Sequence, residues 1–308
     1  MRRSAVCSLA LAALVATSAL SAHAAKVKVP GEEEELVPTG KGWGERAAPG
    51  QAHHKAVKPG GSNGISYHGG PVLLGTPKAY YIWYGGWSGN TATTILPDLA
   101  QSIGGSGYFN INSTYFDGSN GHVTGAVSFG GSTSMGYTHG TALSDSMIRQ
   151  IVSDAITSNS LPKDTNAVYF VLTSADVNAT SGFCTQYCGW HANGSIAGSD
   201  IKYAFIGNPD RCPNACEAQA IGPNGNAGAD GMASIISHEL EEAVTDPDLN
   251  AWYDRRGEEN ADKCAWTFGT TYATADGASA NMKLGQRDYL IQRNWVNAAG
   301  GYCAKSYP

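Results

Sequence analysis

Charge is scarce in this chain: Asp, Glu, Lys and Arg make up 15% of its residues, against about a quarter in ordinary globular domains. Basic charge is scarcer than acidic, 20 Lys and Arg against 26 Asp and Glu, and the formal net charge is −6. Nothing in that balance points to nucleic acid or an anionic membrane surface as a partner. Long apolar runs are missing after the first two dozen residues, which argues against a membrane span. No Gly-rich phosphate loop and no nucleophilic serine motif stands out, so the 39 glycines read as loop composition. Cysteine is sparse, seven in 308 residues, and Cys7 lies in the N-terminal apolar stretch.

That stretch has the layout of a secretory signal peptide over residues 1–24: Arg2-Arg3, an apolar run from Ala5 to Leu20, then Ala22-His23-Ala24. Cleavage near Ala25 removes both arginines and takes the net charge from −6 to −8. The mature protein is therefore expected to be exported, secreted or extracellular, in the periplasm or cell wall. Its six remaining cysteines, Cys184, Cys188, Cys212, Cys216, Cys264 and Cys303, form an even set, which favours three disulfides in an oxidising compartment. Six cysteines allow 15 pairings; proximity along the chain suggests Cys184 with Cys188, Cys212 with Cys216, and Cys264 with Cys303. The competing reading, a four-thiolate zinc site on the two C-x-x-x-C pairs, is disfavoured where thiols oxidise readily. Residues 25–64 are polar and rich in Gly and Pro, with acidic Glu32 to Glu35, and read as a flexible leader or pro-segment. His53 and His54 within it are treated as incidental.

Order is expected from residue 65 onward. The aromatic and β-branched run Lys78-Ala-Tyr-Tyr-Ile-Trp-Tyr84 predicts a strand buried on both faces. Residues 94–103 predict a short helix and 122–129 a short strand. Ser144 and Asp145 are N-cap candidates for a helix to about Ser158, with Ile148, Ile151, Val152, Ala155 and Ile156 as its inner stripe. Residues 166–173, 201–206 and 289–296 predict further strands. The sum is one α/β (or α+β) domain over 65–308, a mixed sheet with helices packed on it.

The sharpest chemical signal lies in residues 231–247. Met232, Ile235, Ile236, Leu240, Ala243 and Val244 recur at helical spacing before Pro247, predicting an amphipathic helix. On it His238 and Glu242 project one turn apart, in the pattern HExxE. In the parent pattern HExxH, the two outer residues hold zinc and the Glu beside the first His is the general base. By position His238 and Glu242 become ligands and Glu239 the base, in a zincin-like active helix. A third ligand is required, and Glu259, Asp262 and His191 are the candidates. Unneutralised, the carboxylates gathered over 239–262 repel one another by roughly 1 kcal/mol per close pair even in water-like surroundings. The alternative reading makes the same residues a solvated face of a surface helix.

Several spaced motifs together resemble the phosphate-induced protein 1 family, the EXORDIUM and EXORDIUM-like proteins. They are Tyr67-His-Gly-Gly-Pro-Val-Leu73, Tyr81-Ile-Trp-Tyr-Gly85, Gly182-Phe-Cys-Thr-Gln-Tyr-Cys-Gly-Trp-His191, Arg211-Cys-Pro-Asn-Ala-Cys216, His238-Glu-Leu-Glu-Glu242, Ala251-Trp-Tyr253, Glu259-Asn-Ala-Asp-Lys-Cys264 and the stretch from Trp295 to Cys303. The resemblance implies an exported, wall-associated or extracellular protein, with a growth role in plant members and no settled biochemical activity. The Ala-rich leader with its two arginines looks bacterial, so the plant role is not carried over.

Two functions follow as expectations. One is a zinc-dependent, peptidase-like hydrolase with Glu239 as base and a peptide as substrate. The other is a non-catalytic extracellular or wall-polymer-binding protein with a structural ion; for calcium the oxygens of Glu242, Asp246, Asp248, Glu259 and Asp262 are the candidate donors. A third, weaker reading uses Trp83, Trp87, Trp190, Trp252, Trp266 and Trp295 as carbohydrate-stacking platforms, against the usual role of such residues as core.

Overall fold

The run Lys78–Tyr84 forms strand β1, buried at every position but Lys78, because helices cover both faces of a parallel sheet. The computed structural model describes residues 64–308, together with a short antiparallel pair of strands, Ala25–Val27 and Glu35–Val37. The signal peptide, His53 and His54 lie outside the described residues. After β1 come helix α1 (Ala92–Ser102), strand β2 (Ser128–Gly136), helix α2 (Asp145–Thr157) and strand β3 (Ala167–Thr173). Strands β4 (Gly189–Ile196) and β5 (Ser199–Ile206) and helix α3 (Ala227–Thr245) complete the frame.

The five strands make one mixed sheet in the order β2-β1-β3-β5-β4. The first four run parallel, and β4 lies antiparallel to β5 on the edge. A two-residue turn, Ala197 and Gly198, joins β4 to β5 with φ of 49° and 74°, the left-handed pair that suits a tight hairpin. Between β1 and β2 the register slips at Gly130, where a Cβ would stand 2.4 Å from the Tyr80 ring. Only glycine lets that aromatic lie against the bulge.

Helix α2 starts as its sequence suggests, with the Ser144 hydroxyl accepting the Met147 N–H, and buries the predicted stripe of Ile148, Ile151, Val152, Ala155 and Ile156. Helices α1 and α3 pack against each other. Buried apolar residues from Ile65 to Val296 form one core cluster, as a single domain requires. No helix among the described residues is long and apolar enough to cross a membrane.

Four expectations change. The 122–129 strand is displaced, since pairing begins at Ser128 and His122 makes only an isolated bridge with Phe116. The 289–296 strand splits into Arg287–Tyr289, paired with Met282–Leu284, and Asn294–Val296, paired with Tyr302–Ala304. Between the two, the Gln292 side chain turns inward to accept the Trp266 N–H, which breaks the ladder. The tryptophans offer no stacking platform: Trp83, Trp87, Trp190, Trp252 and Trp266 are buried, and half-buried Trp295 lies under the Lys263 ammonium.

The cysteine pairing is the fourth. Cys264–Cys303 forms as expected, but the other bridges are Cys184–Cys212 and Cys188–Cys216. The 182–188 turn runs beside the short helix Pro213–Cys216, so each cysteine meets a partner 28 residues away rather than its near neighbour. The first bridge closed over that span stabilises by about 4 kcal/mol in the chain-entropy picture; the second closes a much smaller ring and adds less.

Candidate metal centre

Helix α3 opens on Asn226, whose side chain accepts the Ala229 N–H, and ends at Asp246 before Pro247. Every residue from Gly228 to Thr245 except Gly231 is buried. The solvated-face alternative is thereby excluded, and so is the amphipathic expectation, because other elements cover the polar side as well as the apolar one. His238 and Glu242 do face the same way, with His238 Nε2 3.1 Å from Glu242 Oε1.

Two further elements deliver side chains to that face. Edge strand β4 brings His191, whose Nε2 lies 3.1 Å from Glu259 Oε2 and 3.8 Å from Glu242 Oε2. The acidic segment brings Glu259 and Asp262, and Asp262 Oδ1 is 3.7 Å from His238 Nε2. Asp262 also donates its backbone N–H to Glu242 Oε1 at 3.1 Å, and Asn260 Nδ2 donates to the Glu241 carbonyl at 3.2 Å. These bonds clasp the segment to the C-terminal turns of α3, with Cys264–Cys303 and a Lys263–Asp254 ion pair of 3.0 Å behind it.

Close approach of β4 depends on Gly189. A Cβ there would stand 2.5 Å from Ile235 Cγ2 and 3.0 Å from Glu239 Oε1. The bare backbone lets the strand lie directly on the helix, beside the carboxylate read as the base.

Two sets of donor atoms come within 4.8 Å of one another among the described residues: His191, Glu242 and Glu259, and His238, Glu239 and Glu242. All are buried; Asp262, at 11% side-chain exposure, is the one partly open donor. Bonds of about 2.1 Å around a tetrahedral ion place neighbouring donors about 3.4 Å apart, and the contacts of 3.1 to 3.8 Å above bracket that value.

Electrostatics carry the same message. Burial, then Glu242, Asp246, Asp262 and Glu239, hold the Glu259 carboxyl well above the usual range. Burial and then nearby His238 push the His191 imidazole down to about 3. Carboxylates so close and so dry resist ionising together, and a cation is the chemistry that lets them. The second ring nitrogen of His191, Nδ1, is buried without a hydrogen-bond partner among the described residues.

The predicted residues are thus brought together: His191, His238, Glu239, Glu242, Glu259 and Asp262. Other carboxylates of the predicted cluster have partners of their own. Asp246 Oδ1 accepts the backbone N–H groups of Asn250 and Ala251, each at 2.6 Å. Asp248 pairs with buried Lys202 of β5 at 2.5 Å. Glu241 turns to the opposite side, where its Oε2 accepts from Asn294. Glu258, 42% exposed, lies 3.9 Å from the Lys263 ammonium. One neighbour escaped the sequence reading: Tyr108, fully buried, whose phenol pKa rises through burial and the nearby charges of Glu241 and Glu242. It comes from a Gly- and Ser-rich stretch without periodicity, which carried no signal.

Residues 65–299 match the conserved region of the phosphate-induced protein 1 family. The chain is 32% identical over 279 residues to Protein EXORDIUM-like 3 of Arabidopsis thaliana, covering 78% of this chain and 82% of the relative. It is 33% identical over 275 residues to Protein EXORDIUM-like 5 of the same plant, covering 75% of each. Protein PHOSPHATE-INDUCED 1 of Nicotiana tabacum is 26% identical over 226 residues, covering 64% of this chain and 69% of the relative. No solved structure matches the chain. On the extent of the first match and the identity of the first two relatives, the chain belongs to the phosphate-induced protein 1 family.

Proposed function

We propose that this chain is an exported zinc protein whose buried centre makes it a metal-dependent hydrolase of peptide bonds. The observation that carries the reading is the convergence of β4 and the acidic segment on the HExxE face of α3, which supplies His191, Glu259 and Asp262 to His238 and Glu242. Two imidazoles in the donor set favour zinc over calcium, which prefers an all-oxygen shell. The signal-peptide layout and three disulfides support export.

A zinc ion held by these groups supplies Lewis-acid chemistry. Glu239, one residue from His238 and beside Glu242, accepts the proton of the attacking water and passes it to the leaving amine. The partly exposed Asp262 marks the side from which substrate approaches. Glu242 in place of a second helix imidazole adds negative charge around the ion, which predicts a slower enzyme than an HExxH peptidase.

Burial of the other donors favours a second reading, a closed structural ion. Glu239→Gln separates the two. With a peptide library as substrate, the hydrolase reading expects cleavage by the zinc-loaded protein and loss of at least a hundredfold in the variant at unchanged zinc content. No cleavage by the zinc-loaded protein, together with a melting temperature that falls on chelation, selects the structural ion.

A further inference from the structure

The geometry points to a centre of two divalent ions bridged by Glu242, an inference that rests on the metal reading above and deepens it. The two oxygens of Glu242 face different histidines. Oε1 lies 3.1 Å from His238 Nε2, and Oε2 lies 3.8 Å from His191 Nε2. Each imidazole has a further carboxylate of its own: Glu259 at 3.1 Å for His191, and Asp262 at 3.7 Å for His238. Glu242 is the one member common to both donor sets, and no set of three or more donors within 4.8 Å of one another holds both imidazoles. Each histidine thus has a donor set of its own, joined through Glu242, as two ions would require.

Charge argues in the same direction. Glu239, Glu242, Glu259 and Asp262 surround the centre, and all but Asp262 are essentially shut off from solvent. With all four ionised, one divalent cation would leave two negative charges unbalanced in a dry interior, where an unpaired charge is costly. Two cations balance the set. In the resulting assignment His191, Glu259 and Glu242 Oε2 hold one ion, His238 and Glu242 Oε1 hold the other with Asp262 3.7 Å from that imidazole, and Glu239 stays beside the second as the base. Paired ions clamp both the attacking and the leaving group in hydrolysis, so the bridge would place the susceptible bond between β4 and the acidic segment.

The test is zinc stoichiometry by native mass spectrometry of the intact mature protein, alongside His191→Ala and His238→Ala variants shown to be folded by circular dichroism. The expected counts are two ions in the parent and one in each variant. A count of one in the parent overturns the bridged pair while leaving the zinc reading standing, and a count of zero overturns both. A folded His191→Ala variant that binds two ions or none contradicts the assignment of separate ligand sets.

Discussion

At the residue scale the chemistry turns on where a carboxylate's neighbours come from. Six acidic or histidine side chains from three elements meet at one face of α3, and four carboxylates of the same stretch of sequence are drawn off by backbone N–H groups, Lys202, Lys263 and Asn294. Sequence spacing identified the first group, because the i, i+4 relation of His238 and Glu242 follows from the helix itself. It could not sort out the second, because the partners lie far away in the chain. A separate acid pair gives a pH-dependent prediction. Burial, followed by the charge and hydrogen bond of Asp210, pushes the Glu217 carboxyl up to about 7. An unfolded Glu titrates near ~4.3, so the folded state holds a proton that the unfolded state releases between these values. The contribution of Glu217 to stability is accordingly unimpaired below pH ~4 and falls as pH rises through about 7. Glu217→Gln, which keeps the neutral shape, is expected to raise the melting temperature at pH 8 and leave it unchanged at pH 4. Thermal unfolding at both values measures this, and a variant no more stable at pH 8 refutes it.

At the element scale the contact between β4 and α3 decides whether the centre can assemble. Gly189→Ala puts a methyl carbon 2.5 Å from Ile235 Cγ2, near backbone and the Glu239 carboxylate as well. The overpacking is expected to cost about 1–3 kcal/mol and to move His191 away from Glu242. Chemical denaturation and zinc affinity measured on the same variant check both halves; wild-type values for either remove Gly189 from the account. The same contact explains what sequence could and could not reveal. β1, β3 and β5 were legible because each is a near-continuous apolar run, the mark of a strand buried on both faces. β4 was invisible as a strand: Gly-Trp-His-Ala-Asn-Gly-Ser has two glycines and no β-branched residue until Ile196. Tertiary contacts, namely its hairpin with β5 and the surface of α3, hold it extended. Helix α3 was legible as a helix, but its total burial was not, since Ser234, Ser237, Glu239 and Glu241 look solvent-facing until the elements that cover them are known.

At the scale of the whole molecule, disulfides and centre act on the same framework. Two bridges weld the approach to β4 to the approach to α3, and the third fixes the acidic segment to the C-terminal strand pair. Replacing Cys264 and Cys303 by serine opens a 39-residue span, with an expected loss of about 4 kcal/mol and weaker zinc binding, because Glu259 and Asp262 lose their anchor. Calorimetry with and without zinc tests this: a variant with an unchanged zinc-induced rise in melting temperature would separate the bridge from the centre. The pairing itself lay beyond sequence reasoning, since nothing local tells Cys184 that the 212–216 segment lies beside it. Whether His238 and its neighbours bind zinc is read from metal content by inductively coupled plasma mass spectrometry on the purified mature protein and its His238→Ala variant. At least one zinc per chain is expected in the parent, with one or more lost in the variant. Parent protein without zinc, or a variant with the same zinc content as the parent, would contradict that expectation.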